Sequence, residues 1–386
     1  MQTKIDISQD IIDWIISKVN PGILSSDLCE LLNSWKSGDK IPTYNQIEKM
    51  SKATSIPLGY FFLKTPPEED TSFVEYRTID SVELSNPSRN LMDTMHDMGL
   101  IQEWLRNEMS LNGTERLFFV GSVKETTGIG SFAKLVREIL QLDINWYEKG
   151  HTAEDNFRYL RDQISTSGVM VMMSGIVENN TRRPLDTNEF RAFTLVDEKA
   201  PLIFINSNDS VNGKMFSLIH EFAHICIGTN SLFNDRYSSA KKVSKVETLC
   251  NALAAEILVP KEVFLTKWEE KSKIKDVEEL IDDLAKCFKC GTTVIARRAY
   301  DQKYIDYATY EMIAKKAIRF FLEQKKKKSG GGDYYKTVAS RIDKRFFDLL
   351  LGSVHEGRTL HSDAFRLTNT NRSTFFALAE KMGGVV

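Results

Sequence analysis

Apolar positions recur every three or four residues over most of the chain, and every one or two over a short middle stretch. In SSDLCELLNSWKSG, Leu28, Leu31, Leu32 and Trp35 fall on one helical face. Ser25 or Ser26 is placed to cap that helix and Gly38 to stop it. After Pro42, TYNQIEKMSKAT opens a second helix with Thr43 as N-cap. About four or five short helices are expected within residues 1–65, a compact helical module. KTPPEEDTSF, with Pro66 and Pro67 beside acids, reads as a linker. SRNLMDTMHDMGLIQEWLRNEMSLNG keeps Leu91, Met95, Met98, Ile101 and Leu105 at helical spacing and ends at Gly113. Residues 131–141 and 152–165 are predicted helical as well. The period then shortens. GVMVMMSGIV, EFRAFTLVD and PLIFINS are runs rich in β-branched and aromatic residues, bounded by Gly, Asn, Asp and Pro, and predict three strands of a small sheet. From residue 212 helical spacing returns and runs to about residue 324. KKKKSGGGD, residues 325–333, breaks the composition and reads as a solvated helix end and a flexible linker, with a smaller helix-rich tail beyond it. The expected class is α+β: a mainly helical, multidomain chain around a small mixed sheet.

One helix of the series carries polar groups where the pattern calls for none. MFSLIHEFAHICIG, residues 215–228, is apolar nearly all round and should be buried, yet it holds His220, Glu221 and His224. Buried polar and charged groups are costly without partners. Histidines four apart sit on one helical face, one turn apart, where both can reach a single metal ion. Glu221 is rotated by about 100° from His220, so it lies beside such an ion and can hold a water rather than ligate. The same letters also fit an apolar helix with two incidental imidazoles. What favours metal is context: the apolar run PLIFINS directly before, and acids on a second apolar helix downstream.

A catalytic zinc site usually has three protein ligands and one open position. VETLCNALAAEILVP, residues 246–260, offers Glu247 and Glu256. Glu247 is the better placed, because Cys250, Asn251 and Ala254 on the same face are small or polar and permit close approach. Glu256 lies in the last turn, against the Pro260 stop. Asn251, one turn on from Glu247, is a candidate to orient a ligand. Cys287 and Cys290 form an isolated C-x-x-C without the second pair a structural zinc needs, and are expected to be core cysteines.

Charge and composition narrow the partners. The chain has 386 residues and a net charge of −2, so no global field draws it to nucleic acid or an anionic membrane. Residues 1–65 hold seven lysines, seven acids and no arginine, which supports DNA contacts only weakly. No apolar run reaches the roughly 18–20 residues of a membrane span, and the polar start MQTKIDISQDIID lacks the apolar region of a signal peptide. With five cysteines in no disulfide-like pattern, the expected location is the cytoplasm.

RAFTLVDEKAPLIFINSNDSVNGKMFSLIHEFAHICIG, followed by VETLCNALAAEILVP, resembles the ImmA/IrrE family of zinc-dependent metallopeptidases. That family pairs H-E-x-x-H with a downstream E-x-x-x-N-x-x-A-A-x-x-x-x-P helix whose first glutamate, here Glu247, is the third ligand. SWKSGDKIPTYNQIEKMSKATSIPLGYFFL resembles the Xre-like helix-turn-helix of longer members, VEYRT (74–78) their entry into the catalytic domain, and GGGDYYKTVASRIDKRF their C-terminal extension. The resemblance implies a helix-turn-helix module over 1–65, a metallopeptidase domain with a minimal zincin-like core over 66–325, and a linker with a helical extension over 326–386. It implies Zn2+, with Mn2+ or another divalent ion as the alternative, held by His220, His224 and Glu247, with Glu221 as the catalytic acid–base. Arg236 or Tyr237, in the loop between the motif helices, could supply a further donor. The implied reaction is endoproteolysis of a narrow protein substrate, such as a helix-turn-helix transcriptional repressor cleaved under stress or on induction of a mobile element. The alternative is an antitoxin-like regulator that uses the peptidase scaffold to hold a partner, with DNA contacts at its ends.

Overall fold

The strands that the short-period runs predict form, and the sheet they make is buried on both faces. The computed structural model describes residues 4–18, 24–54, 56–67, 87–233, 244–272, 276–327 and 333–382. The chain divides into two compact units, residues 1–76 with 82–95, and 77–81 with 96–386. The architecture is α+β, mainly helical, with a small mixed sheet.

In the first unit, α1 (Gln9–Lys18), α2 (Ser26–Lys36) and α3 (Tyr44–Thr54) are followed by a 3-10 helix, Leu58–Phe62. Leu28, Leu32 and Trp35 of α2 are buried with Ile11, Ile15, Ile47, Met50 and Phe61, and Leu31 packs half-buried against them. Thr43 precedes α3, and its backbone N–H donates to Gln46 Oε1 (2.9 Å) at the helix start. The long helix α4 (Arg89–Leu111), of which residues 96–111 belong to the second unit, buries Leu91, Met95, Met98, Ile101 and Leu105.

The second unit continues with α5 (Ile129–Ile139), a 3-10 turn (Trp146–Glu148) and α6 (Ala153–Thr166). The strands are β1 (Met170–Ser174), β2 (Ile176–Val177), β3 (Asn180–Pro184), β4 (Ala192–Leu195) and β5 (Leu202–Asn206). Then come α7 (Val211–Ile227), β6 (Ser231–Phe233) and α8 (Lys245–Leu258). The main sheet has the order β1-β5-β4-β6, with β1 parallel to β5 and the other pairs antiparallel; β2 and β3 form a separate hairpin. Burial on both faces is why β4 and β5 read as continuous apolar runs rather than alternating ones. One face carries Phe193 and Phe204, stacked at 5.0 Å with Phe190 beside them. The other, with Ala192, Ile203 and Ile205, shares a core with α7 and α8 through Leu218, Ile219, Phe222, Leu253 and Ala254.

Two strands depart from the expected pattern. β3 is polar and largely exposed, so it has no apolar signature, and β6 is three residues long and interrupts the helical run expected from residue 212 to about 324. Beyond α8 lie α9 (Lys261–Lys271), α10 (Val277–Phe288), α11 (Thr292–Asp301) and α12 (Tyr307–Lys327). Cys290 is buried just before α11, and both it and Cys287 are free thiols. The tail holds α13 (Tyr334–Arg341), α14 (Lys344–His355), α15 (His361–Leu367) and α16 (Arg372–Met382). It seats on the outer edge of β1. Asp343 accepts from the Val171 backbone N–H (3.1 Å), and Arg161 donates to the carbonyls of Val171, Ser340 and Ile342. Among the described residues, no helix is long and apolar enough to cross a membrane.

Candidate metal centre

Each motif side chain is placed by how its helix starts or stops. α7 begins at Ser210, whose hydroxyl accepts from the Gly213 backbone N–H (3.0 Å). It ends at Gly228, where φ is 85°. The Gly228 and Thr229 N–H groups both close on the His224 carbonyl, at 2.8 and 3.0 Å. This left-handed stop turns the chain back along the helix. As a result Thr229 Oγ1 lies 3.0 Å from His224 Nδ1, and Ser231 Oγ donates to Glu221 Oε2.

α8 begins at Ser244, whose hydroxyl accepts from the Glu247 backbone N–H (3.2 Å). Ser-x-x-Glu is the spelling of a capping box, in which the glutamate side chain returns to the N-cap. Here the carboxylate turns to the histidines instead: Oε2 lies 3.2 Å from His220 Nε2, and Oε1 lies 3.2 Å from His224 Nε2. The two Nε2 atoms are 3.1 Å apart. His220, His224 and Glu247 form the one convergent His/Cys/Asp/Glu group found among the described residues, with ligand atoms all within 4.8 Å of one another.

The second ring nitrogens decide which atoms face the centre. His220 Nδ1 lies 3.1 Å from Asn251 Oδ1. A carboxamide oxygen only accepts, so Nδ1 of a neutral His220 carries the proton and Nε2 presents its lone pair. Thr229 can accept in the same way from His224 Nδ1. A tetrahedral ion bonded at about 2.0–2.1 Å holds its ligand atoms about 3.3 Å apart. The two Nε2 atoms are 3.1 Å apart, close to that spacing, and one carboxylate oxygen of Glu247 lies 3.2 Å from each ring, so two imidazoles and a carboxylate fit a zinc-like ion. His220 and Glu221 are fully buried, while the Glu247 side chain keeps 28% of its surface exposed, so the centre reaches solvent on the Glu247 side.

Charge is arranged to match. Burial opposes ionisation of Glu247, but the imidazoles of His220 and His224 overcome it and hold the carboxyl well below its ordinary range. Burial also opposes charge on His224, yet Cys250, Glu247 and Glu221 outweigh it and raise the imidazole well above its usual value. Glu221 Oε1 is buried and has no hydrogen-bond partner among the described residues. A buried carboxylate oxygen left without a donor is the feature expected where a water belongs.

Glu256, the other acid of α8, serves the scaffold. It pairs with Arg298 Nη2 (3.0 Å) and Arg137 Nη2 (3.7 Å) and accepts from the Lys261 backbone N–H. Arg236, Tyr237 and the VEYRT segment lie outside the described residues. Thr229 and Ser231 escaped sequence reasoning. Their only signal is position, within three residues of the glycine that stops the motif helix.

No curated protein matches the chain. Residues 342–381, which cover α14 to α16, match a domain of unknown function (DUF8813). Residues 165–300 match the family model of the IrrE N-terminal-like domain, Peptidase_M78. That stretch contains both motif helices and the converging His220, His224 and Glu247, and the match supports the ImmA/IrrE family and a peptidase-type hydrolase for this part of the chain.

Proposed function

We propose that the chain is a zinc-dependent endopeptidase with a narrow protein substrate, of which a helix-turn-helix transcriptional repressor is the leading candidate. The observation that carries the reading is the convergence of two imidazoles and a carboxylate at 3.1–3.2 Å beside a buried glutamate oxygen that lacks a partner. A binding scaffold has no need of that oxygen; hydrolysis does.

His220 Nε2, His224 Nε2 and the Glu247 carboxylate would hold the ion, with Asn251 and Thr229 fixing the two rings. A divalent ion held there supplies a Lewis acid for the attacking water and the scissile carbonyl. Glu221 takes a proton from the water as the new C–O bond forms, then passes it to the departing amine nitrogen as the C–N bond breaks. The products are a carboxylic acid and an amine, the acid's remaining proton passing to the amine or to solvent at neutral pH, and Glu221 ends as it began. Depth enforces selectivity: a carboxylate fully buried in α7 acts only on a chain fed in from the open side of the centre.

The test is co-expression with a helix-turn-helix repressor encoded beside this gene. The native chain should remove full-length repressor, and Glu221→Gln should leave it intact while retaining bound zinc. Equal loss of the repressor with both proteins would overturn the hydrolytic reading.

A further inference from the structure

Glu221 is gripped at two points by one cross-strand pair. Thr194 of β4 and Ser231 of β6 are register partners in the antiparallel sheet. Thr194 Oγ1 donates to the Glu221 backbone carbonyl (3.3 Å), and Ser231 Oγ donates to Glu221 Oε2. All three residues are buried, with relative exposures of 0% for Thr194 and Glu221 and 6% for Ser231. One strand pair thus fixes both the main chain and the side chain of the same glutamate.

The consequence lies in which oxygen is left over. A carboxylate has two equivalent oxygens, and free rotation about its last torsion would exchange them. With Oε2 committed to Ser231, Oε1 is the oxygen without a partner. We propose that Ser231 is a positioning residue: its hydroxyl locks the Glu221 carboxylate so that Oε1 alone is presented for proton transfer. This rests on the hydrolytic reading above. It assigns β6, the short edge strand beside α7, a part in that chemistry through Glu221 rather than by contact with substrate. Among the described residues the Ser231 hydroxyl donates to Glu221 and not to a ligand side chain, so metal binding should not depend on it.

A substrate-independent probe separates these roles. A hydroxamic acid binds a zinc ion as its anion, and its O–H proton passes to a neighbouring carboxylate; its affinity therefore reports a correctly held Glu221. Leucyl hydroxamate binding to the zinc-loaded full chain is measured by calorimetry, alongside zinc content. Ser231→Ala should keep about one zinc per chain and bind the hydroxamate about 10- to 100-fold more weakly, as loss of one hydrogen bond to a charged group dictates. Ser231→Thr keeps the hydroxyl on a strand-favouring residue and should restore binding to within about threefold. Should Ser231→Ala fail to fold, the near-isosteric Ser231→Cys, with its weak S–H donor, must show the same direction of loss. Native-like affinity in Ser231→Ala, or equal weakness in the Ala and Thr variants, overturns the assignment. If the native chain takes up no zinc, or takes it up and binds no hydroxamate, the peptidase reading itself fails, which is a different result.

Discussion

Replacing Gly228 by alanine tests whether the stop of the motif helix builds the site. Two costs add there. The residue has φ 85°, and an alanine in that left-handed region costs about 1–2 kcal/mol. An ideal Cβ would also lie 3.0 Å from Gly121 Cα, a backbone atom held in place by the Gly121 N–H to Ile225 carbonyl bond (3.1 Å). Overpacking of that kind adds about 1–3 kcal/mol. The sum is about 2–5 kcal/mol, or a Tm lower by about 4–10 °C for a unit of this size. Gly113→Ala is the control. Gly113 has φ 66° but nothing within 4 Å of its Cβ, so it incurs the conformational cost alone, about 2–4 °C. The assay is differential scanning calorimetry of the full chain, following the transition that added zinc moves upward, since only the unit that binds the ion is stabilised by it. Gly228→Ala should also weaken zinc binding, because that turn delivers Thr229, whose Oγ1 lies 3.0 Å from His224 Nδ1. Equal Tm for the two variants, with unchanged zinc affinity, would refute the reasoning.

Three further outcomes follow from the same geometry. Asn251→Ala and Thr229→Val each remove the group that orients a ligand imidazole, and each should lower zinc affinity about 10- to 100-fold in a chelator competition while leaving the fold intact; an unchanged affinity would contradict their assigned roles. In the metal-free chain His224 is raised well above its ordinary value, so near neutral pH it carries a proton that the ion must displace. Zinc uptake measured in buffers of different ionisation enthalpy should therefore release about one proton from this site, and affinity should rise with pH by up to about tenfold per unit until the raised value is passed; a flat profile across neutral pH would count against the assignment. The stability that His224 gives the metal-free protein runs the other way: it is fully present below the unfolded imidazole value and lost as pH rises through the raised one. Glu256→Ala should destabilise by about 1.5–3 kcal/mol in denaturant melts, since it removes the carboxylate that pairs with Arg298 and Arg137 and leaves them only backbone carbonyls, yet keep the metal; loss of the metal would mean that the wrong acid of α8 had been assigned to the site.

The convergence of His220, His224 and Glu247 was partly legible because helices carry all three. Four-residue spacing places His220 and His224 together on any helix, and the apolar flanks of α7 and α8 announced their burial. That Glu247 rather than Glu256 lies beside the histidines follows the pattern of small residues near Glu247. The capping-box spelling at Ser244 could equally have used Glu247 up, and only tertiary packing turns its carboxylate to the histidines. What supports the site was less visible. Ser231 sits in a three-residue strand defined by its pairing with β4, not by any pattern of its own, and its partner in that pair is 37 residues earlier. β3 was hidden for a different reason: its hairpin projects polar residues, and Glu178 and Asn179 turn it with φ of 46° and 62°. Asp343 caps the start of α14 with one carboxylate oxygen, which accepts from the Phe346 backbone N–H. Nothing in the sequence signals that the other oxygen caps β1 at Val171, which is long-range information.

The most direct test of the account is elemental analysis of the purified full chain and its ligand variants after zinc exposure and extensive dialysis. The native protein should retain about one zinc per chain; His220→Ala, His224→Ala and Glu247→Ala should each retain far less, and Glu221→Gln should retain it in full. Zinc held equally by the native chain and the Glu247→Ala variant, or by none of the proteins, would contradict a centre built from His220, His224 and Glu247.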